Sequence, residues 1–270
     1  MLRTRPAAVA GAFYPGDAAT LVREVEEFVR RAGKPSPGEG APKAIIAPHA
    51  GYVYSGPVAG SAYARVARLK GKISRVVLAG PAHRVFVRGA AVPEASAFAT
   101  PLGDIELDQE ALARLRRLPF VESSDRPHAL EHCLEVHLPF LVSALGVFKL
   151  VPVVVGDASP AEMAQLLDEV WGGDETLVVV SSDLSHYLPY DEARARDRDT
   201  AQAILDLDPH LDPEDACGAA PVNGLLEIAR RRGLEVELVD LRNSGDTAGG
   251  RSQVVGYGSF VFREKGGGHD

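Results

Sequence analysis

Cysteine is scarce in this chain: 270 residues hold two, Cys133 and Cys217, far apart in sequence. Two distant thiols make no disulfide framework, and they fit a reducing compartment. Basic charge is also short, with 29 Lys and Arg against 37 Asp and Glu, a net charge of -8 and a pI near 5.5. Without a basic run the chain is a poor ligand for nucleic acid or an anionic membrane. The expected partners are a small-molecule substrate, a peptide or another protein. The N-terminal apolar run is brief and broken by Pro15, so neither a signal peptide nor a membrane span is expected, and the location reads as cytoplasmic. Also missing are a Walker loop, a G-x-G-x-x-G after a strand, a G-x-S-x-G elbow and a C-x-x-C. The Gly-rich run over 243–251 lacks a following helix and reads as a flexible turn.

What is there is a large apolar complement, 46% of residues, patterned as buried strands alternating with helices. Strands are predicted over 44–47, 75–80, 149–156, 177–182, 234–241 and 253–262. Helices are predicted over 18–32, 55–68, 109–118, 128–145, 161–171, 192–207 and 212–232. Pro139 is expected to break or restart the fourth helix, and Ser55 to cap the second. Residues 89–108 read as a hairpin off the main sheet. The pattern implies an α/β fold: a largely parallel central sheet flanked by helices, with the last two strands antiparallel at an edge. No repeat or long linker divides it, although 34–42 is a Pro/Gly-rich connector. One domain over 1–270 is expected, with a leader loop over 1–16 and a flexible tail over 263–270.

Residues 43–56 read K-A-I-I-A-P-H-A-G-Y-V-Y-S-G, a buried strand followed at once by His49. A lone turn histidine more often bonds its own loop. Two other apolar strands end the same way, however: R-V-V-L-A-G-P-A is followed by His83, and L-V-V-V-S-S-D-L-S by His186. In a parallel sheet all three turns lie on the carboxyl edge, where open α/β sheets place their ligands. Converging neutral imidazoles with an anionic donor suit a divalent transition metal. His49 and His83 are the first candidate ligands. Cys217 is a soft third candidate, because a position early in the predicted 212–232 helix would favour the thiolate. Asp183 shares a turn with His186 and could orient an imidazole, bind metal or act as a base. On an ideal helix His128, His132 and Glu135 share one face, with Leu130, Leu134, Leu138 and Leu141 opposite. H-C-L-E-V-H matches neither H-E-x-x-H nor H-x-x-E-H, so a metalloprotease is disfavoured. Glu131 and His137 read equally well as a solvated face.

With these residues in view the chain resembles the Memo family, whose prokaryotic members are labelled AmmeMemoRadiSam system protein B. The runs that carry the resemblance are R-P-A-A-V-A-G-A-F-Y-P, I-I-A-P-H-A-G-Y-V-Y-S-G, G-P-A-H, T-P-L-G-D, E-H-C-L-E-V-H-L-P-F, V-P-V-V-V-G, V-V-S-S-D-L-S-H-Y, C-G-A-A-P and V-V-G-Y. They span nearly the whole chain in family order. The resemblance implies a fold similar to class III extradiol ring-cleaving dioxygenases, which hold non-haem iron(II) through two His and one Glu. By motif, His49 and His83 match the metal histidines and His186 the acid/base position. Cys217 stands where those enzymes have Glu, which favours softer metals. The reading that follows is a mononuclear redox protein binding iron(II) or copper, with zinc as a further candidate. His49, His83 and Cys217 would bind metal, His186 and Asp183 would move protons, and His132 and Glu135 would line or brace the pocket. Two alternatives stand beside it: a partner-binding adaptor using the old active-site cleft, and a zinc-dependent hydrolase.

Overall fold

A computed structural model describes residues 3–33 and 40–265. Most of the connector over 34–42 and of the tail over 263–270 therefore lies outside the described residues. In chain order the strands are β1 (Thr4–Arg5), β2 (Ala44–Ala47), β3 (Arg75–Pro81), β4 (Ala90–Val92), β5 (Ala97–Thr100), β6 (Gly103–Glu106), β7 (Val121–Ser123), β8 (Lys149–Val155), β9 (Thr176–Ser181), β10 (His186–Leu188), β11 (Glu235–Asn243) and β12 (Val254–Arg263). The helices are α1 (Ala18–Arg31), α2 (Tyr52–Val66), α3 (Gln109–Leu115), α4 (Arg126–Ala129), α5 (Leu138–Leu145), α6 (Pro160–Val170), α7 (Tyr190–Leu205), α8 (Ala219–Arg232) and α9 (Ser244–Thr247).

The main sheet runs β10-β12-β2-β9-β3-β8-β4-β7, with β11 also paired to β12. Its centre, β2-β9-β3-β8, is parallel. These strands are buried almost throughout, which is why they read as unbroken apolar runs rather than as alternation. The chain goes from β2 to β3 across β9, then back from β8 to β9 across β3. Right-handed crossovers in opposite directions put α2 on one face and α6 on the other. The contacts agree: α2 packs with α1 and α5, and α6 with α8. The sheet is thus mixed α/β and flanked by helices, as expected. The closing antiparallel pair is present, but β12 is not at an edge, because it also pairs antiparallel with β2. The 89–108 excursion gives β4 to the main sheet, while β5 and β6 form a hairpin that joins β1 in a small second sheet. The leader is accordingly more than a loop.

Local chemistry sets several boundaries. Ser159 and Glu162 form a capping box at α6, with Pro160 in the first turn. α8 stops at Gly233, whose φ of 67° is left-handed. Gly51, not Ser55, caps α2; Ser55 lies inside the helix and donates to the Ala50 carbonyl. The 243–251 run is not only a turn, since Asn243 and Asp246 cap the short α9.

Two predicted helices are corrected where they matter most. The 128–145 segment is broken into α4, an irregular stretch, a 3-10 turn over Glu135–His137 and α5. A continuous helix would need the carbonyls of His128 and Glu131 for its own ladder. Arg5 donates to both, from Nε to His128 O at 2.6 Å and from Nη2 to Glu131 O at 2.7 Å. The Glu131 carboxylate meanwhile accepts the N–H groups of His132 and Cys133. Leu130 is consequently exposed rather than part of an apolar stripe. The 212–232 helix begins only at Ala219, so Cys217 precedes the cap residue Gly218 and is outside the helix.

Arg5 also donates to Glu135 Oε2 at 2.7 Å, and both side chains are buried. Glu135 accepts further bonds from the Ala8 and Val9 N–H groups and from the Tyr14 hydroxyl. Arg5→Met leaves that carboxylate buried without its cation and frees two carbonyls. It is expected to cost about 3–5 kcal/mol, measured by urea denaturation, and Arg5→Met with Glu135→Gln should recover part of the loss.

Candidate metal centre

The site is built on three adjacent parallel strands. Ala47 of β2 lies in register with Ser181 of β9, and Ala79 of β3 with Val180. His49, Asp183 and His83 each follow their strand by two residues, so all three turns meet at the carboxyl edge. The His49 and His83 rings are 5.1 Å apart and edge-on. His132, from the irregular stretch after α4, closes the group at 5.5 Å from His49 and 4.9 Å from His83. One ligand nitrogen from each lies within 4.8 Å of the other two. Three imidazoles at that spacing make a candidate seat for one transition-metal ion.

The hydrogen bonds fix which nitrogens face that seat. The Ser181 hydroxyl donates its one hydrogen to the Cys133 carbonyl at 2.7 Å. It must then accept from His49 Nδ1 at 2.6 Å and from His137 Nε2 at 2.8 Å. His49 keeps its lone pair on Nε2, and His137 uses Nδ1 to accept from the Tyr63 hydroxyl at 2.9 Å. Burial holds His49 well below the usual imidazole range, helped by the charges of His83 and His132. Burial also pushes His137 down to about 3. Both stay neutral, as a ligand and its support must.

His83 is oriented by Glu131. Its Nδ1 donates to Oε1 at 3.0 Å and its backbone N–H to Oε2 at 2.7 Å, which leaves Nε2 free. His132 Nδ1 lies 3.2 Å from Oε1 but off the line of a hydrogen bond, so this buried nitrogen has no bonded partner. Burial works to raise the Glu131 pKa. Contacts to His132 and His83 outweigh it and hold the carboxyl well below the usual range. His83, Glu131 and Cys133 form a second group within ligand reach. There the carboxylate oxygens are already taken by four N–H groups, and the Cys133 thiol donates to the Pro81 carbonyl at 3.1 Å. That group braces the site.

Cys217 Sγ lies 3.3 Å from His49 Nε2 and accepts the Asp183 N–H at 3.3 Å. Nitrogen and sulfur sharing one tetrahedral ion, at about 2.0 and 2.3 Å from it, are themselves about 3.5 Å apart, so the contact fits a common ion. The expected thiolate is not found. Burial, followed by the Asp183 charge, pushes the thiol up to about 12, and outside the helix no dipole offsets this. A bound ion would reverse the balance by deprotonating the thiol.

The structure thus brings His49, His83 and His132 together, with Cys217 against His49 but in no group of three with His83. Asp183 is beside them: its Oδ1 accepts the His49 N–H at 2.7 Å. Burial raises the Asp183 pKa, while that bond and the charge of nearby His186 lower it. His186 opens β10, ring to ring with Tyr187. Glu135 faces the N-terminal segment and not the cluster. Sequence reasoning missed Ser181 and undervalued Glu131 and His137. The signals were polar residues ending an apolar strand in V-V-V-S-S-D and the density of H-A-L-E-H-C-L-E-V-H.

Fold and site together define an α/β protein with a histidine cluster on the carboxyl edge of a parallel sheet. The family model described as Memo-like protein matches residues 5–261, and the chain belongs to that family. A MEMO1 family protein of Ignicoccus hospitalis is 37% identical over 96% of this chain and 98% of its own length. One of Aquifex aeolicus is 35% identical over 97% and 100%. A crystal structure of an uncharacterized Escherichia coli K12 protein is similar over 80% of this chain and 98% of its own, at 14% identity and a TM-score of 0.48. Among the described residues no helix is long and apolar enough to cross a membrane.

Two outcomes follow from this geometry. Ser181→Ala strands the His49 and His137 N–H groups. It should cost about 1–3 kcal/mol in denaturant titration and weaken metal binding about 10–100-fold by calorimetry. Asp197 of α7 supports the Asp183–His186 turn, accepting the Ser185 N–H at 3.0 Å while packed on Gly256. Burial, opposed by that bond, pushes its carboxyl up to about 6. A folded pKa above the unfolded value of about 3.9 means that stability present at low pH is lost as pH rises through about 6. Asp197→Asn keeps the acceptor and removes the charge. It should gain about 2–3 kcal/mol over the parent at pH 8 and nothing at pH 3, read from paired urea melts.

Proposed function

We propose that this chain binds one redox-active metal ion, iron(II) or copper, and carries out oxidative chemistry on a small molecule. The observation that carries the reading is the convergence of His49, His83 and His132 at one sheet edge, with Cys217 against His49. The donor set fits such an ion: two imidazoles have their Nδ1 hydrogens committed, leaving the His83 Nε2 lone pair free and that of His49 against the Cys217 thiol, and a third has a buried nitrogen without a hydrogen bond. His49, His83 and His132 would hold the ion, with the Cys217 thiol against His49 as a further donor. When bound, the ion would supply one-electron redox chemistry and Lewis acidity. Asp183 spends Oδ1 on the His49 N–H, leaving Oδ2 without a donor among the described residues. With His186 beside it, the pair can take a proton from a substrate hydroxyl and return it.

A zinc-dependent hydrolase is the second reading, favoured by the three-imidazole set itself, which is also a catalytic zinc arrangement. Anaerobic reconstitution with iron(II), copper or zinc in turn separates the two. The redox reading expects one ion per chain, oxygen uptake with catechols or other reductants only with iron or copper, and loss of the ion in His49→Ala and His83→Ala. A thiolate-to-copper(II) absorption band should vanish in Cys217→Ala. No oxygen uptake with any metal sinks the redox reading, and hydrolysis of an activated ester only by the zinc form supports the second.

A further inference from the structure

The acidic side chains at α1 differ in their partners. Asp17 caps the helix by accepting the Thr20 N–H, and Glu27 is bound by Arg30 and Arg31. Glu26 is exposed to water. Glu24 is half-buried, yet its carboxylate has neither a hydrogen bond nor an ion pair among the described residues. Its neighbour Arg23 donates to the Thr20 hydroxyl instead. Leu21, one turn before Glu24, and Val25, next to it, are buried, so Glu24 lies at the border of the apolar face. Burial alone raises its pKa, with no cation to offset the effect.

This carboxylate lines a cavity. The segment over 11–15, α1 and the first turn of α2 border a space of ≈ 400 Å³, whose walls include Phe13, Tyr14, Tyr52, Val53 and Tyr54. Glu24 is the one charged side chain among the lining residues. The Tyr14 and Tyr52 rings are 5.6 Å apart. Their hydroxyls are spent elsewhere, that of Tyr14 on Glu135 at 2.7 Å and that of Tyr52 on the Val136 carbonyl at 2.7 Å. What these two offer a ligand is ring carbon. Tyr54 is 40% exposed and forms the open side.

A carboxylate without a donor, set among aromatic rings, matches one class of ligand. An anion is repelled, and a neutral molecule leaves the charge unpaired. A cation meets both the carboxylate and the ring faces. The volume suits a small molecule. We propose that this cavity binds a small organic ammonium ion, with its charge on the Glu24 carboxylate and its carbon skeleton against Tyr52 and Tyr54. The site uses none of the metal-binding candidates and does not rest on the redox reading, although Phe13 is common to both places, its ring 4.8 Å from that of His132.

Butylammonium, butan-1-ol and butyrate share an alkyl chain and differ in charge. Each is titrated into the isotope-labelled chain at about pH 8, above the carboxylate range, before and after treatment with a chelator. The amide shifts of Val53 and Tyr54 report binding. Butylammonium should bind about tenfold or more tighter than butan-1-ol, and butyrate should not bind. Glu24→Gln keeps the shape of the side chain and removes its charge. It should bring butylammonium to within about threefold of the alcohol, and it should melt no lower than the parent, because the charge it removes is unpaired. Tyr54→Ser should weaken the ammonium about two- to fivefold. Glu27→Gln, on the same helix, should leave binding unchanged. Equal binding of the ammonium and the alcohol, or an ammonium preference that survives Glu24→Gln, overturns the site. A preference that the chelator abolishes overturns it too, since that binding belongs to a metal ion and not to Glu24.

Discussion

The Ser181 hydroxyl is the constraint on which the site depends. It ends β9, the strand between those that carry His49 and His83. Its single hydrogen goes to the Cys133 carbonyl, and its two acceptor positions go to His49 and His137. One oxygen therefore joins the first histidine turn, the stretch that carries His132 and the start of α5. Full use of its bonding capacity leaves no alternative tautomer for His49. The position of the His49 lone pair is set before any ligand arrives, which is the preorganisation a metal site requires.

The two strand-end histidines are supported differently. His49 donates to a neutral hydroxyl in a dry wall, and His83 to a carboxylate nearer the solvent. A carboxylate partner makes an imidazole a stronger donor than a hydroxyl does. The cluster thus offers one firmly anchored, moderate ligand and one electron-rich ligand at the mouth. The Cys217 thiol lies against the anchored one.

The central strands were legible because they are buried on both faces and spell unbroken Val, Ile, Leu and Ala. From them the meeting of the His49 and His83 turns followed, since parallel strands share a carboxyl edge, while the third histidine of the group is His132 and not His186. What surrounds the strands was less legible, and the reason is distance along the chain. The helix expected over 128–145 has good periodicity, yet the Glu131 carboxylate takes the His132 and Cys133 N–H groups out of the ladder while Arg5, more than a hundred residues away, holds the His128 and Glu131 carbonyls. Cys217 looked helical by pattern, but the Gly218 N–H is committed to the Ser182 hydroxyl and the Cys217 N–H to the Asp183 carbonyl. Glu131 and Ser181 gave only faint signals, because each acts through bonds to partners that local sequence does not reveal.

The N-terminal segment, which reads as a leader loop, is a wall of the site. Phe13 packs on His132, and its carbonyl accepts the N–H of Tyr52 at the start of α2. Arg5 and Tyr14 converge on Glu135. Burying that ion pair gains little net stability, because desolvation offsets the attraction. Its value here lies in geometry. With the His128 and Glu131 carbonyls held by Arg5 and the His132 and Cys133 N–H groups spent on the Glu131 carboxylate, the intervening residues stay out of the helix, and Glu131 turns inward to His83 and His132. The same sequence wound as a helix would align His132 with His128 and Glu135 along a helix axis, instead of delivering it to two strand ends. The third histidine reaches the cluster because Arg5 and the Glu131 carboxylate together hold its stretch out of the helix that its own neighbours prefer.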